Sequence, residues 1–320
     1  MIARTAFEMI LKEYDAKQLK AAGELRARRE RIEAAVPRLK EIENEIAALS
    51  VSEAIARIRN NAPDSSYQEK LSALSKEKEQ ALKEAGFCEA DLSAVYECEK
   101  CSDTGYIGSE LCSCFKERIT DVLYDQSNLK TVLKEENFST YSFRYYPEGQ
   151  AKSAAQAAVA TAQNFIRNFK TSDENLFITG ATGVGKTFLT NCIAKELLDR
   201  GCFVVYLSAI RLFDILSDAT FGTGRGGAGE MVIKNIYDCD LLIIDDLGTE
   251  MVNSFTTTQL FGCINERIAG KKHTIISTNL SLKQLQENYS ERIFSRIANK
   301  YTFIKLLGDD IRMKKKLEDN

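Results

Sequence analysis

The 320-residue chain has one histidine, three prolines and no long apolar run. Crossing a bilayer as a helix takes about 18 consecutive apolar residues, so no membrane span is expected. The opening stretch MIARTAFEMILKEYD mixes charges into its apolar positions, which does not suit a signal peptide. The expected location is cytoplasmic. The charges nearly cancel, with 43 basic and 46 acidic residues and a net charge of −3, so there is no global basic field. Any contact with nucleic acid must use a local patch. The single histidine, His273, lies in the apolar stretch Lys271-Lys272-His273-Thr274-Ile275-Ile276, which argues against histidine-based catalysis. Nine cysteines in a cytosolic chain do not suggest a disulfide framework. Their spacing carries more information than their number.

Three textures follow one another, at residues 1–90, 91–134 and 135–320. The first is rich in Glu, Lys, Arg, Ala and Leu. Leu25, Ile32, Ala35, Leu39, Ile42, Ile46 and Leu49 recur at steps that fit one stripe of a helix. Pro37 should interrupt that helix, and Asn60-Asn61-Ala62-Pro63-Asp64 is a break. A second stripe runs through Tyr67, Leu71, Leu74, Ala81 and Ala85. The pattern predicts a helical hairpin or short coiled coil, either a solvated face or a docking arm for a protein partner.

Residues 135–320 alternate apolar strands with helical stretches. Leu176–Thr179, Phe203–Leu207, Leu241–Ile244, Thr274–Ser277 and Thr302–Leu306 read as strands. Most are continuous apolar runs, as expected for strands covered on both faces of a parallel sheet. The expected class is α/β.

The first of these strands runs into Gly180-Ala181-Thr182-Gly183-Val184-Gly185-Lys186-Thr187, a G-x-x-x-x-G-K-T loop between strand and helix. Glycines let the main-chain amides cradle phosphates, and the following helix presents its positive end. Lys186 should reach the β- and γ-phosphates of ATP, and Thr187 should ligate Mg²⁺. The run Leu241-Leu242-Ile243-Ile244-Asp245-Asp246 delivers a carboxylate at the C-terminal end of a strand, where ligands bind in such sheets. Asp245 is the expected Mg²⁺ residue. Asp246 is expected to polarise the attacking water, with Glu250 as a rival base on the same loop. Asn279 ends a later strand, where its amide can meet the γ-phosphate or the water. Arg292 and Arg296 fall on one helical face. An arginine given to a neighbouring subunit's γ-phosphate is worth roughly 10³–10⁵ in rate; otherwise the pair is surface charge.

Cys98-Glu99-Lys100-Cys101 and Cys112-Ser113-Cys114 flank the turn-rich Asp103-Thr104-Gly105-Tyr106. Two such knuckles suit a structural tetrahedral Zn²⁺ site, although an iron–sulfur cluster also fits four cysteines. Cys88 is off-spacing, and Cys192, Cys202, Cys239 and Cys263 read as core residues.

These motifs, in this order and with Gly308-Asp309-Asp310-Ile311-Arg312 near the end, resemble the AAA+ ATPases, and within them the DnaC/DnaI-type loaders of bacterial replicative helicases. The IstB-type transposition helper ATPases are close relatives of those loaders. The resemblance implies that Asn279 is sensor 1, Arg296 the trans-acting finger with Arg292 auxiliary, and Arg312 the sensor 2 arginine. It also implies self-association through the ATP site, a replicative helicase hexamer and single-stranded DNA as partners, and, as in some Gram-positive loaders, a zinc module before the core. Two features depart from the general AAA+ pattern. The second acid of the Asp245-Asp246 pair is one methylene shorter than the usual Glu, and only 14 residues follow the last strand, which leaves the expectation of a minimal rather than a full helical lid. A minimal lid is what the loader and helper group has. The segment Asn137–Phe143 resembles the stretch that lies against adenine in AAA+ proteins; core packing explains its aromatics equally well. The loop Phe221–Gly229 offers one Arg and one Phe to a DNA strand, or is plain surface, and Lys314–Lys316 forms a small basic tail. The expected function is loading of the replicative helicase onto single-stranded DNA, driven by ATP hydrolysis. The alternatives are a transposition helper, or an ATP-gated binding module with negligible turnover.

Overall fold

The computed structural model describes residues 2–58, 66–108, 110–127, 129–221 and 228–318. The break expected at 60–64 and the glycine-rich stretch at 222–227 lie outside the described residues. No described helix is long and apolar enough to cross a membrane. The elements in chain order are α1 (Ile2–Ala35), α2 (Leu39–Ile58), α3 (Tyr67–Glu84), β1 (Tyr106–Ile107), β2 (Glu110–Leu111), α4 (Ser113–Ser127), α5 (Leu129–Glu135), α6 (Gln150–Asn168), β3 (Asn175–Thr179), α7 (Lys186–Asp199), β4 (Val204–Ser208), α8 (Ala209–Phe221), α9 (Ala228–Asp238), β5 (Leu241–Leu247), α10 (Ser254–Ala269), β6 (His273–Thr278), α11 (Leu282–Tyr289), α12 (Glu291–Lys300), β7 (Tyr301–Lys305) and α13 (Ile311–Glu318). They form two compact units, residues 11–114 and residues 115–320 together with 1–10.

In the smaller unit, α1 stops at Ala35, two residues before Pro37. The proline ring removes a donor and disfavours helical geometry in the residue before it. Ile32, Val36, Leu39 and Leu82 make a small core, with Ala81, Ala85, Phe87 and Leu92 packed on it. The apolar stripe of α2 outruns this core: Ile42 is buried, while Val51, Ile55 and Ile58 are exposed. Exposed ion pairs from Arg38 to Glu41, Glu45 and Glu77 link α2 to α3, although such pairs contribute little stability. The cysteine segment forms the short antiparallel hairpin β1–β2, with Tyr106 opposite Leu111.

The larger unit is built on a parallel sheet of order β4-β5-β6-β3-β7. One face packs Leu176, Ile178, Ile243 and Ile275 against α6 and α7 through Ala158, Phe165, Leu189 and Ile193. The alternate residues Phe177, Leu242, Ile244 and Ile276 are equally buried. Burial on both faces explains why the strands read as unbroken apolar runs. The strand ends at Thr179, Asp245 and Thr278 line up at the carboxyl edge of the sheet.

One large cation sits inside. Arg267 on α10 is fully buried. Its guanidinium donates to the carbonyls of Ile236, Tyr237 and Cys239 at the end of α9, at 2.8, 2.9 and 3.2 Å. It also donates to Thr274 Oγ1 at 3.0 Å and to the His273 carbonyl. The fork thus satisfies carbonyls that the helix end leaves open. His273 is a core residue whose ring nitrogens each lie 2.7 Å from a main-chain carbonyl, of Glu174 and Phe169. Replacing Arg267 by Met strands several buried acceptors. Urea unfolding should show Arg267→Met losing about 3 kcal/mol; a loss below about 0.5 kcal/mol would contradict this role.

Candidate nucleotide site and cysteine cluster

Gly185, at φ 94°, caps α7, and Lys186 opens the helix. The loop before it turns so tightly because chain passes directly against it. A Cβ on Gly180 would stand 2.6 Å from the Leu306 carbonyl, and one on Gly183 would stand 2.2 Å from the Asp310 carboxylate. The approach is fixed by Leu306 N–H donating to Thr179 O at 2.8 Å and Ile311 N–H donating to Gly183 O at 3.0 Å. On the other side, Tyr146 Oη donates to Val184 O at 2.9 Å and lies 2.8 Å from Tyr141 Oη. Lys314 donates to Tyr145 O at 3.0 Å, joining the two flanks. The phosphate loop is therefore clasped by residues 141–146 and 306–314.

Between them lies a cavity of about 230 Å³. Thr182, Gly183, Gly185, Lys186, Thr187, Asp246 and Arg312 line it, with Glu136, Tyr141, Tyr145, Tyr146 and Phe188. Lys186 donates to the carbonyls of Gly180 and Ala181, both at 2.9 Å. Burial pushes its ammonium below the usual lysine range, against the pull of Asp246 and Asp245.

Asp245 is held in a cage of hydroxyls. Tyr206 donates to Oδ2 at 3.0 Å, Ser277 donates to Oδ1, and Thr187 Oγ1 lies 3.5 Å from Oδ1. Tyr206 Oη also pairs with Thr190 Oγ1 at 2.8 Å. At Asp246 the β5–β6 register slips between Ile244 and Leu247, and Asp246 adopts φ 56°. A non-glycine residue seldom adopts that region, although Asp tolerates it better than most. The bulge re-aims the second acid, so Asp245 stays in its cage while Asp246 lines the cavity. Ser277 Oγ accepts the Asp246 N–H at 3.0 Å and fixes the turn. Burial raises the Asp246 carboxyl, helped by Asp245 and opposed by Lys186 and Arg312. Glu250 is engaged elsewhere, accepting from Gly248 N–H at 2.9 Å and from Tyr289 Oη.

The four cysteines form the other constellation, in the smaller unit. Cys98, Cys101, Cys112 and Cys114 place their sulfurs within 4.8 Å of one another. The pairs Cys98–Cys112 and Cys101–Cys114 lie at 3.8 and 3.6 Å. Tetrahedral zinc with Zn–S of ~2.3 Å implies sulfur edges of about 3.8 Å, so the donor set fits that ion. Asp103 accepts the N–H of Glu97 and of Cys98, at 2.9 and 2.8 Å, and shapes the first knuckle. The Cys101 main-chain N–H holds the Cys98 thiol down to about 7, whereas burial raises those of Cys101 and Cys114. Tyr14 on α1 hydrogen-bonds Cys114, a supporting contact of the kind that orients metal ligands.

The family model for IstB-like ATP binding protein matches residues 105–319. The chain belongs to the IstB-like ATP-binding family, within the AAA+ ATPases. The replicative helicase loader DnaC of Escherichia coli (strain K12) is 25% identical over 162 residues, 51% of this chain and 63% of the loader. The chain thus spans less than two thirds of the length of that relative. Crystal structures titled as the DnaC helicase loader and as DnaI align with TM-scores of 0.48 and 0.45 at 22% and 20% identity. They cover 55% and 57% of this chain, and 99% and 93% of those chains.

In this IstB-like chain the arginines expected from the sequence separate. Arg312 lines the cavity. Arg292 and Arg296 stand exposed on α12, outside the cavity lining, and Arg296 donates to Asn265 at 2.8 Å. Asn279, one residue past the end of β6, is exposed and also outside that lining. Sequence reasoning missed Ser277, Tyr206, Tyr146 and Glu136. Ser277 had a signal only in its place near the carboxyl end of the strand that Asn279 follows; Tyr206 needed the parallel register of β4 on β5. If Asp245 holds Mg²⁺, Ser277→Ala should raise the Mg²⁺ concentration that half-saturates ATP turnover about tenfold, the usual effect of removing a ligand's supporting contact. A magnesium titration of turnover checks this, and an unchanged midpoint would remove Ser277 from the site.

Proposed function

We propose that this IstB-like protein is an ATP-dependent loader of the replicative helicase onto single-stranded DNA. One cavity that gathers Lys186, Thr187, Asp246 and Arg312 carries the ATPase part of this reading. Main-chain amides of Gly180–Gly185, the end of α7 and Lys186 would hold the triphosphate. Thr187 and Asp245 would hold Mg²⁺, which neutralises phosphate charge when bound. Asp246 would orient the attacking water, with Arg312 facing the developing charge from the C-terminal clasp. Arg296, exposed on α12 and outside the cavity lining, would serve a neighbouring subunit's cavity. The four-cysteine cluster would hold structural zinc, and the helical region before the core is the candidate arm for the helicase.

The loader is favoured over a transposition helper by the separate compact unit of residues 11–114, most of which precedes the stretch matched by the family model. Its small core leaves Val51, Ile55 and Ile58 exposed, and exposed apolar residues on one helix suit a protein partner. The full chain should capture a replicative helicase hexamer in the presence of ATP. Failure to do so, with ATP-dependent binding to duplex DNA instead, would replace the loader by the helper. Asp246→Asn should cut ATP turnover by at least about tenfold while leaving ATP binding in place; wild-type turnover already at background would establish the ATP-gated binding module instead. Elemental analysis should find one zinc per chain, lost in the Cys98→Ser, Cys112→Ser double variant. Iron with visible absorption would overturn the zinc assignment.

A further inference from the structure

The cavity has two ends of opposite character. Lys186, Thr187 and Asp246 mark the phosphate end. At the other, Glu136 joins Tyr141 and Phe188, whose rings meet edge to face at 5.5 Å. A carboxylate in this position cannot serve a triphosphate, because like charges repel. It needs a donor. The aromatic surroundings suit the face of a base.

Glu136 is deliberately placed. It follows α5, and its N–H closes the last turn on Val132 O at 2.7 Å. Asn191 on α7 donates Nδ2 to Glu136 Oε2 at 2.6 Å. Asn191 is only 2% exposed, and its own Oδ1 is buried without a partner. Turning the amide over would set that oxygen against the carboxylate, so charge fixes the orientation. A stranded buried acceptor is destabilising; here it accompanies the pinning of one Glu136 oxygen. The other oxygen makes no hydrogen bond among the described residues. Asn191 stands four residues beyond Thr187, about 6 Å further along the helix axis, which sets the pair back from the phosphate end.

We infer that Glu136, pinned by Asn191, accepts a hydrogen bond from the 6-amino group of adenine and sets the preference for ATP over GTP. Adenine presents an N–H donor at that position. Guanine presents the O6 acceptor, which a carboxylate repels. This inference rests on the reading of the cavity as an ATP site. It concerns the base, whereas Lys186 and Thr187 concern the phosphates, so the two can fail separately.

The test is competition binding on the full chain with ATP, purine riboside triphosphate (which lacks the 6-amino group), GTP and 2′-deoxy-ATP. Wild type should bind ATP about tenfold or more tighter than the purine riboside analogue, as expected for one hydrogen bond to a charged group. Glu136→Ala should bring the two within about twofold by weakening ATP alone. Glu136→Gln, whose amide both donates and accepts, should narrow the gap between ATP and GTP, and it decides the matter if the alanine variant does not fold. Equal weakening of ATP and the analogue would make Glu136 a structural tie between α5 and α7. A loss that tracks the 2′-hydroxyl would make it a ribose contact, and tighter GTP binding by wild type would reverse the assignment; each overturns the inference. Lys186→Ala separates the underlying site. If wild type binds no triphosphate, or Lys186→Ala binds as wild type does, the ATP site itself is wrong. If Lys186→Ala abolishes binding while the Glu136 variants change no ratio, only the base contact is wrong.

Discussion

The glycines of the phosphate loop have no room for a Cβ against the chain that clasps them. A Cβ on Gly180 would stand 2.6 Å from the Leu306 carbonyl, and one on Gly183 2.2 Å from the Asp310 carboxylate. Tyr146 Oη stands 2.7 Å from where one on Gly185 would be. This contact sets much of the larger unit. It requires β7 beside β3, so that the chain leaving the sheet crosses the loop. It requires the aromatic segment before α6 on the other flank. The cavity between these flanks then brings Arg312 and Tyr145 into one lining with Lys186 and Thr187.

The carboxyl edge of the sheet obeys a second constraint, in that two adjacent acids stand in different surroundings. In a regular strand Asp245 and Asp246 would point to opposite faces of the sheet. The register slip and the positive φ at Asp246 bring the second acid into the cavity, while hydroxyls from Tyr206, Ser277 and Thr187 hold the first. The short Asp side chain at the second position then relies on main-chain geometry for its reach. Ser277 holds both acids, one through its carboxylate and one through its amide.

Much of this was legible in the sequence, for physical reasons. Strands buried on both faces announce themselves as apolar runs, and the glycine spacing of a phosphate loop leaves few alternatives. The paired Cys-x-x-Cys and Cys-x-Cys knuckles announced the sulfur cluster in the same way. What was not legible depends on contacts between distant segments. Tyr206 and Ser277 become partners of Asp245 only through strand register. Asn191 reaches Glu136 across 55 residues, and Tyr14 meets Cys114 across α2, α3 and the hairpin. Asn279 and Glu250 show the converse. Both stand at suitable places in the sequence, yet the first lies outside the cavity lining and the second is occupied by Tyr289.

The clasped loop is tested most directly by hydrogen–deuterium exchange on the full chain, with and without ATP and Mg²⁺. Protection should rise together in residues 138–146, 180–187 and 306–314, because the three segments share one cavity. Protection confined to 180–187, with 306–314 exchanging as before, would contradict a site built by both flanks.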